Sequence, residues 1–245
     1  MSAELQAVGA RSIEERIAAI PWEQVHTDLD ARGFACVPRL LGAAECRGLI
    51  ALYDDPARFR SRVVMNRHGF GSGEYQYFDH PLPDLVARLR AAAYPVLWPI
   101  ANAWAERMRV ERRFPATLEA LHAECRGAGQ VRPTPLLLRY GAGDYNCLHQ
   151  DLYGEVVFPL QLAVLLSQPD ADFTGGEVVL TEQRPRMQSR VEVVPLERGD
   201  AVIFASRHRP IEGTRSSYRV QMRHGVSRVR SGHRFALGII FHDAT

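Results

Sequence analysis

Lysine is absent. All 30 basic side chains of this 245-residue chain are arginine, set against 28 acids for a formal net charge of +2. So small a surplus excludes any argument for nucleic acid or a membrane from net charge alone. Arginine in place of lysine reads first as a compositional bias of the source genome. Cysteine is scarce too: Cys36, Cys46, Cys125 and Cys147 are widely scattered, with no C-x-x-C pair. That fits reduced thiols better than a zinc knuckle or a disulfide framework. The longest apolar run, "AAAYPVLWPIANAW", is too short to span a bilayer. The opening "MSAELQAVGARSIEERIAAI" lacks the basic start and apolar stretch of a secretory leader. These absences predict a soluble, cytoplasmic protein. No repeat, low-complexity segment or linker divides the chain, so residues 1–245 are expected to form one domain.

What is present has two textures. Residues 1–130 read mainly as helices, and the apolar content of 46% is that of an ordinary globular protein. "SIEERIAAI" begins with a Ser cap and first-turn Glu, and "EQVHTDLDARG" ends in a Gly stop before a strand-like "GFACVPRLL". "LPDLVARLRAAAYPVLWPIANAWAERMRVERRF" has helical spacing, with Pro95 and Pro99 expected to bend or split it. From residue 131 to 245, short β-branched and apolar runs alternate with Gly, Pro and Asp turns. The fold expected is α+β: a β-sandwich or barrel core with a helical N-terminal layer packed outside it.

The stretch with most chemistry is "LHQDLYGE", which sets His149 and Asp151 two residues apart in a strand-like segment, where alternate side chains share a face. Of the nine histidines, His26, His68, His80 and His122 lie in the mainly helical half. Two downstream histidines compete for a third ligand position. His224 stands in "MRHGVSRVRSGHRFALGIIF", with Arg234 in the next strand. His208 has Arg219 at nearly the same interval, but "SRHRPIEG" reads as a loop. A ligand is held better on a strand, which favours His224. Two imidazoles and a carboxylate suit non-haem Fe(II), and they also suit zinc. Arg234 favours iron, because a dicarboxylate cosubstrate needs a bidentate cation for its far end.

Taken together, His149-Gln150-Asp151, His224 and Arg234 resemble the motif of the Fe(II)/2-oxoglutarate-dependent dioxygenases. "RYGAGDYNCLHQD" is similar to the segment before the ligands in prolyl-hydroxylase-type and alkylated-DNA-repair members. "HGVSRVRSGHRFALGIIF" looks most like the prolyl-hydroxylase ending, and "DFTGGEVVL" and "RGDAVIF" fit turns of the double-stranded β-helix (jelly-roll). More narrowly, "LHQDLYGE", "FPLQ", "TEQRPRMQSR" and "RHGVSRV" resemble a bacterial group thought to act in oxidative demethylation of damaged nucleic acid. The resemblance implies Fe(II) on His149, Asp151 and His224. It implies 2-oxoglutarate held by Arg234 and Tyr140, and O2 as oxidant. A C–H bond would be hydroxylated as 2-oxoglutarate becomes succinate and CO2; at an N-methyl group the product loses formaldehyde.

Around these residues, Cys147 should share the face of His149 as a buried thiol. Tyr145 and Tyr153 are candidates for the cavity wall, and Gln161 for facing the cosubstrate. Gly175-Gly176 reads as a turn. Between Arg184 and Arg234 lie twelve arginines (184, 186, 190, 198, 207, 209, 215, 219, 223, 228, 230, 234) and four acids. Arginine-rich loops suit a phosphate backbone, which makes Arg184, Arg186 and Tyr153 the substrate candidates. The same arginines suit an acidic peptide or a small carboxylated metabolite. Three readings stand: a nucleic-acid demethylase, a hydroxylase of protein or small molecules, and a non-enzymatic β-barrel binding module.

Overall fold

Ser12 and Glu15 close a capping box that starts α1 (Ile13–Ala18): the Ser12 hydroxyl accepts from the Glu15 N–H at 3.2 Å, and the Glu15 carboxylate from the Ser12 N–H at 2.7 Å. These coordinates are a computed structural model that describes residues 11–214 and 216–245. Residues 1–10, on which the leader reading rests, and Arg215 lie outside the described residues. Helix α2 (Trp22–Arg32) stops as expected at Gly33, whose φ of 81° is left-handed. Strand β1 (Phe34–Val37) and α3 (Ala43–Ala51) follow.

Three short strands then appear where the sequence reading placed none: β2 (Phe59–Val64), β3 (Gly71–Ser72) and β4 (Glu74–Phe78). Helix α4 (Asp84–Arg107) is continuous through Pro95 and Pro99, so the prolines do not split it. Its buried face, including Tyr94, Leu97 and Trp104, packs into the core and offsets the hydrogen bonds that the two prolines forgo. Helix α5 (Leu118–Gly127) completes the helical layer.

The remaining strands are β5 (Leu136–Tyr140), β6 (Tyr145–His149), β7 (Leu160–Leu165), β8 (Phe173–Gly175) and β9 (Val178–Gln183). Then come β10 (Arg190–Val194), β11 (Ala201–Ala205), β12 (His208–Ile211), β13 (Tyr218–Val226), β14 (Val229–Gly232) and β15 (Arg234–Ile240). They form a major sheet ordered β1-β11-β7-β15-β5-β4-β2, and a minor sheet ordered β10-β9-β13-β6-β3 with β12 paired to β13. All pairings within these two sheets are antiparallel. The major sheet thus takes β1, β2 and β4 from the half expected to be a helical layer, so the division near residue 131 does not hold. The reason is pairing: these strands are short, β1 and β4 join β11 and β5, distant in sequence, and β2 pairs in turn with β4.

One apolar cluster joins the helices to one face of the major sheet. A second, containing Tyr140, Leu180, Val202 and Phe204, fills the space between the two sheets. This is the double-stranded β-helix, and its interior opens into the site.

Candidate metal centre

His149 ends β6, and His224 on β13 is its direct partner across the antiparallel pair. Their ring centroids lie 4.2 Å apart. Asp151 follows just after β6 and turns its carboxylate between them: Oδ1 is 3.4 Å from His149 Nε2, and Oδ2 is 3.2 Å from His224 Nε2. One ligand atom from each residue lies within 4.8 Å of the others. Three donors on one side of a shared point match the facial 2-His-1-carboxylate arrangement.

The surroundings prepare each donor. His149 Nδ1 is 2.8 Å from the Cys147 carbonyl oxygen, which can only accept, so Nδ1 carries the proton and the Nε2 lone pair faces the site. Burial would raise the pKa of Asp151, but His224 and His149 outweigh it and hold the carboxyl well below the usual range. Burial, with His149 nearby, pushes His224 down toward the neutral imidazole that a metal requires. The Tyr153 hydroxyl donates to Asp151 Oδ1 at 2.6 Å, fixing the carboxylate from behind.

Arg234 opens β15 directly across from Tyr140 on β5. It is 2% exposed, and its Nε is buried with no hydrogen-bond partner. The faces of Tyr140 and Phe173 approach it at 5.6 and 5.9 Å. Burial lowers its pKa by more than the nearby Tyr140 and Glu177 raise it. Gly176 makes room for it: the backbone there has φ 66°, and a Cβ would lie 2.9 Å from Arg234 Cδ. The Tyr140 hydroxyl accepts from Asn146 Nδ2 at 3.2 Å, leaving its own proton to donate.

The triad, Arg234, Tyr140, Tyr153 and Gln161 all line one cavity of about 400 Å³ between the sheets. The donor set fits a divalent cation, and the uncompensated guanidinium fits an anion beside it.

Other expectations land elsewhere. Cys147 lines the cavity but is exposed rather than buried, because β6 lies at its open side. Tyr145 is not among the lining residues; its ring sits under the Arg228 guanidinium at 4.8 Å. Arg184 pairs with Glu182 at 2.7 Å and lines a separate groove with Arg107 and Arg209. Arg186 is exposed in a left-handed turn with φ 63°. Neither arginine lines the cavity. His208 begins β12 and is not in a loop. It pairs with Gln221 and takes no part in the triad, while Pro210 is tolerated because β12 is an edge strand. Phe204, whose ring lies 4.8 Å from that of His224, and the Gly176 cradle went unread, since neither leaves a spacing signal in the sequence.

Comparison with known proteins accords with this geometry. Uncharacterized proteins from two strains of Mycobacterium tuberculosis are 48% identical over 225 residues, which is 84% of this chain and 97% of theirs. An oxidoreductase of the 2OG-Fe(II) oxygenase family from Burkholderia pseudomallei superposes with a TM-score of 0.54 at 14% identity, over 93% of this chain and 94% of that one. A prolyl hydroxylase from Trichoplax adhaerens, in complex with a hypoxia inducible factor oxygen degradation domain peptide, gives 0.53 at 14% identity over 94% and 92%. At such identities the likeness establishes the fold alone. Residues 73–244 match the family Oxygenase-NA, described as "Oxygenase, catalysing oxidative methylation of damaged DNA". That match removes the non-enzymatic reading. The protein is an oxygenase and belongs to the Oxygenase-NA family.

Proposed function

We propose that this oxygenase uses Fe(II), 2-oxoglutarate and O2 to remove N-methyl groups from alkylated nucleic acid, a repair reaction of the cytoplasm. One observation carries the cosubstrate: Arg234 is a buried guanidinium with no carboxylate partner among the described residues, in the same cavity as His149, Asp151 and His224. A buried charge persists only if something compensates it, and a bidentate fork suits a carboxylate.

His149 and His224 would hold the metal through Nε2, and Asp151 through its carboxylate. Bound there with 2-oxoglutarate, Fe(II) supplies the oxidation of a C–H bond while the cosubstrate is decarboxylated to succinate. Arg234 grips the far carboxylate and the Tyr140 hydroxyl donates to the same end. Tyr153 keeps Asp151 oriented. The apolar wall, with Phe204 and Val178, excludes water from the reacting atoms. Inserting oxygen into an N–CH3 group yields a hemiaminal that releases formaldehyde, so oxidation by this route takes a methyl group away.

Support for nucleic acid comes from the family description and from surface charge. Arg207, Arg219 and Arg223 are exposed. Together with burial, Arg219 and Arg207 depress His208 to about 4. Arg223 is the chain neighbour of His224, and the Arg207 carbonyl accepts from Gln150 Nε2 at 3.4 Å, next to Asp151. None of these three arginines lines the cavity itself, but exposed cations on the surface suit phosphates, and a base must leave its stack to enter. The four free cysteines fit a reducing compartment. The test is 2-oxoglutarate turnover and formaldehyde release across methylated DNA, RNA and peptide panels. Formaldehyde from oligonucleotides is expected; turnover with peptides and never with nucleic acid would leave a protein hydroxylase in its place.

A further inference from the structure

We propose that Gln161 reads the substrate, its carboxamide hydrogen-bonding the edge of the base presented to the metal site. This rests on the nucleic-acid reading above and names the residue that selects among bases.

Gln161 is the one polar side chain of β7, "LQLAVL", at the centre of the major sheet. It is 4% exposed, lines the cavity, and has an Nε2 that is buried without a partner. Other buried amides are satisfied: Gln76 donates to the Tyr53 carbonyl at 2.8 Å, and Gln130 to that of Val156 at 3.0 Å. Those two hold the fold together. Gln161 holds nothing, and leucine in its place would spare the fold an unpaired donor. A donor kept unpaired at a cavity wall serves what enters the cavity.

Strand register says which end it serves. Gln161 lies in one row with Phe204 on β11 and Ile240 on β15. The Phe204 ring lies 4.8 Å from that of His224, so this row borders the triad. Arg234 stands six residues away along the same strand as Ile240, roughly 20 Å at about 3.3 Å per residue. An anion gripped by Arg234 therefore lies well away from Gln161, which faces what approaches from the other side. A further ring, Tyr153, lines that side and packs in the apolar cluster of Ile240. Flat aromatic walls with one carboxamide match a planar base with a hydrogen-bonding edge. Because the free atom is a donor, the partner sought is a carbonyl acceptor.

The experiment compares wild type with Gln161→Leu on single-stranded oligonucleotides carrying either 3-methylcytosine, whose O2 accepts, or 1-methyladenine, which has no carbonyl. Binding of the 3-methylcytosine oligonucleotide to metal-free protein is followed by fluorescence anisotropy. The expected result is a fall in kcat/KM on 3-methylcytosine of about tenfold, matched by weaker binding, with a smaller change on 1-methyladenine. The KM for 2-oxoglutarate should move less than about twofold, and the melting temperature should hold or rise. A raised KM for 2-oxoglutarate would make Gln161 a cosubstrate ligand and overturn the inference. Equal losses on both oligonucleotides with a lower melting temperature would make it structural, and no change would also overturn it. Wild type that releases no formaldehyde from any oligonucleotide is a different failure: it removes the nucleic-acid reading and takes this inference with it.

Discussion

Replacing Arg234 with methionine should move two quantities in opposite directions. The guanidinium is 2% exposed, and its Nε has no partner. Taking a charge out of water costs several kcal/mol, and stacking on Tyr140 and Phe173 returns about 0.5–2 kcal/mol each. The ligand-free fold therefore carries a net burden of roughly 1–3 kcal/mol at this residue. Methionine fills much of the same space without the charge, so the ligand-free protein should melt higher, by about 2–4 °C per kcal/mol. The far carboxylate of 2-oxoglutarate meanwhile loses a desolvated partner worth about 2–5 kcal/mol, which weakens binding roughly 30-fold to several thousand-fold. Scanning calorimetry with and without 2-oxoglutarate, beside titration calorimetry, reads both effects. Arg234→Lys should fall between, since it keeps the charge and loses the fork. A methionine variant that melts lower and binds 2-oxoglutarate as before would refute the reasoning and give the guanidinium to the fold.

Asp151→Ala and His224→Ala should each abolish iron binding and 2-oxoglutarate decarboxylation, whereas His208→Ala should retain both; metal content and succinate release decide, and the reverse pattern would discard the triad. Gly176→Ala strains a left-handed φ of 66° and presses on Arg234 Cδ. It should raise the KM for 2-oxoglutarate by about tenfold; an unchanged KM would mean the arginine stem has room to move. Glu182 and Arg209 form a buried ion pair with side chains 3% and 1% exposed. Burial would raise the Glu182 pKa, but Arg184 and Arg209 outweigh it and hold it down. Its contribution to stability is therefore complete above the unfolded value of about 4.3 and fades as pH falls through the lower folded one. Arg209→Met should cost about 3–5 kcal/mol and flatten that acid limb, followed by circular dichroism; an unaltered limb would clear Glu182 of the role.

Most strands from Leu136 onward were legible because alternation and turn residues are local signals, but β12 and β14 read as loop and turn. The strands between Phe59 and Phe78 were not, because β3 and β4 are completed by β6 and β5, distant in sequence, and β2 in turn pairs with β4. In α4, Pro95 and Pro99 read locally as breaks, yet burial of one whole face keeps the helix continuous. Arg184 looked like a substrate contact from arginine density alone. Its partner Glu182, two residues back on the same chain, shows how charge counts overlook pairing.

The order of residues along the chain was enough for the chemistry. A histidine and an aspartate at alternate positions, a later histidine and an arginine ten residues on name donors and a carboxylate anchor, since donor type is a property of each side chain. It favoured His224 over His208 by reading His208 into a loop, a ground that the fold removes, since both lie on strands. That choice belongs to the register of β13 against β6, which sets His224 opposite His149. Folding also decided that Arg234 lies buried without a carboxylate and Gln161 without a partner. Both depend on what the two sheets enclose, and enclosure exists only after residues far apart in sequence have met.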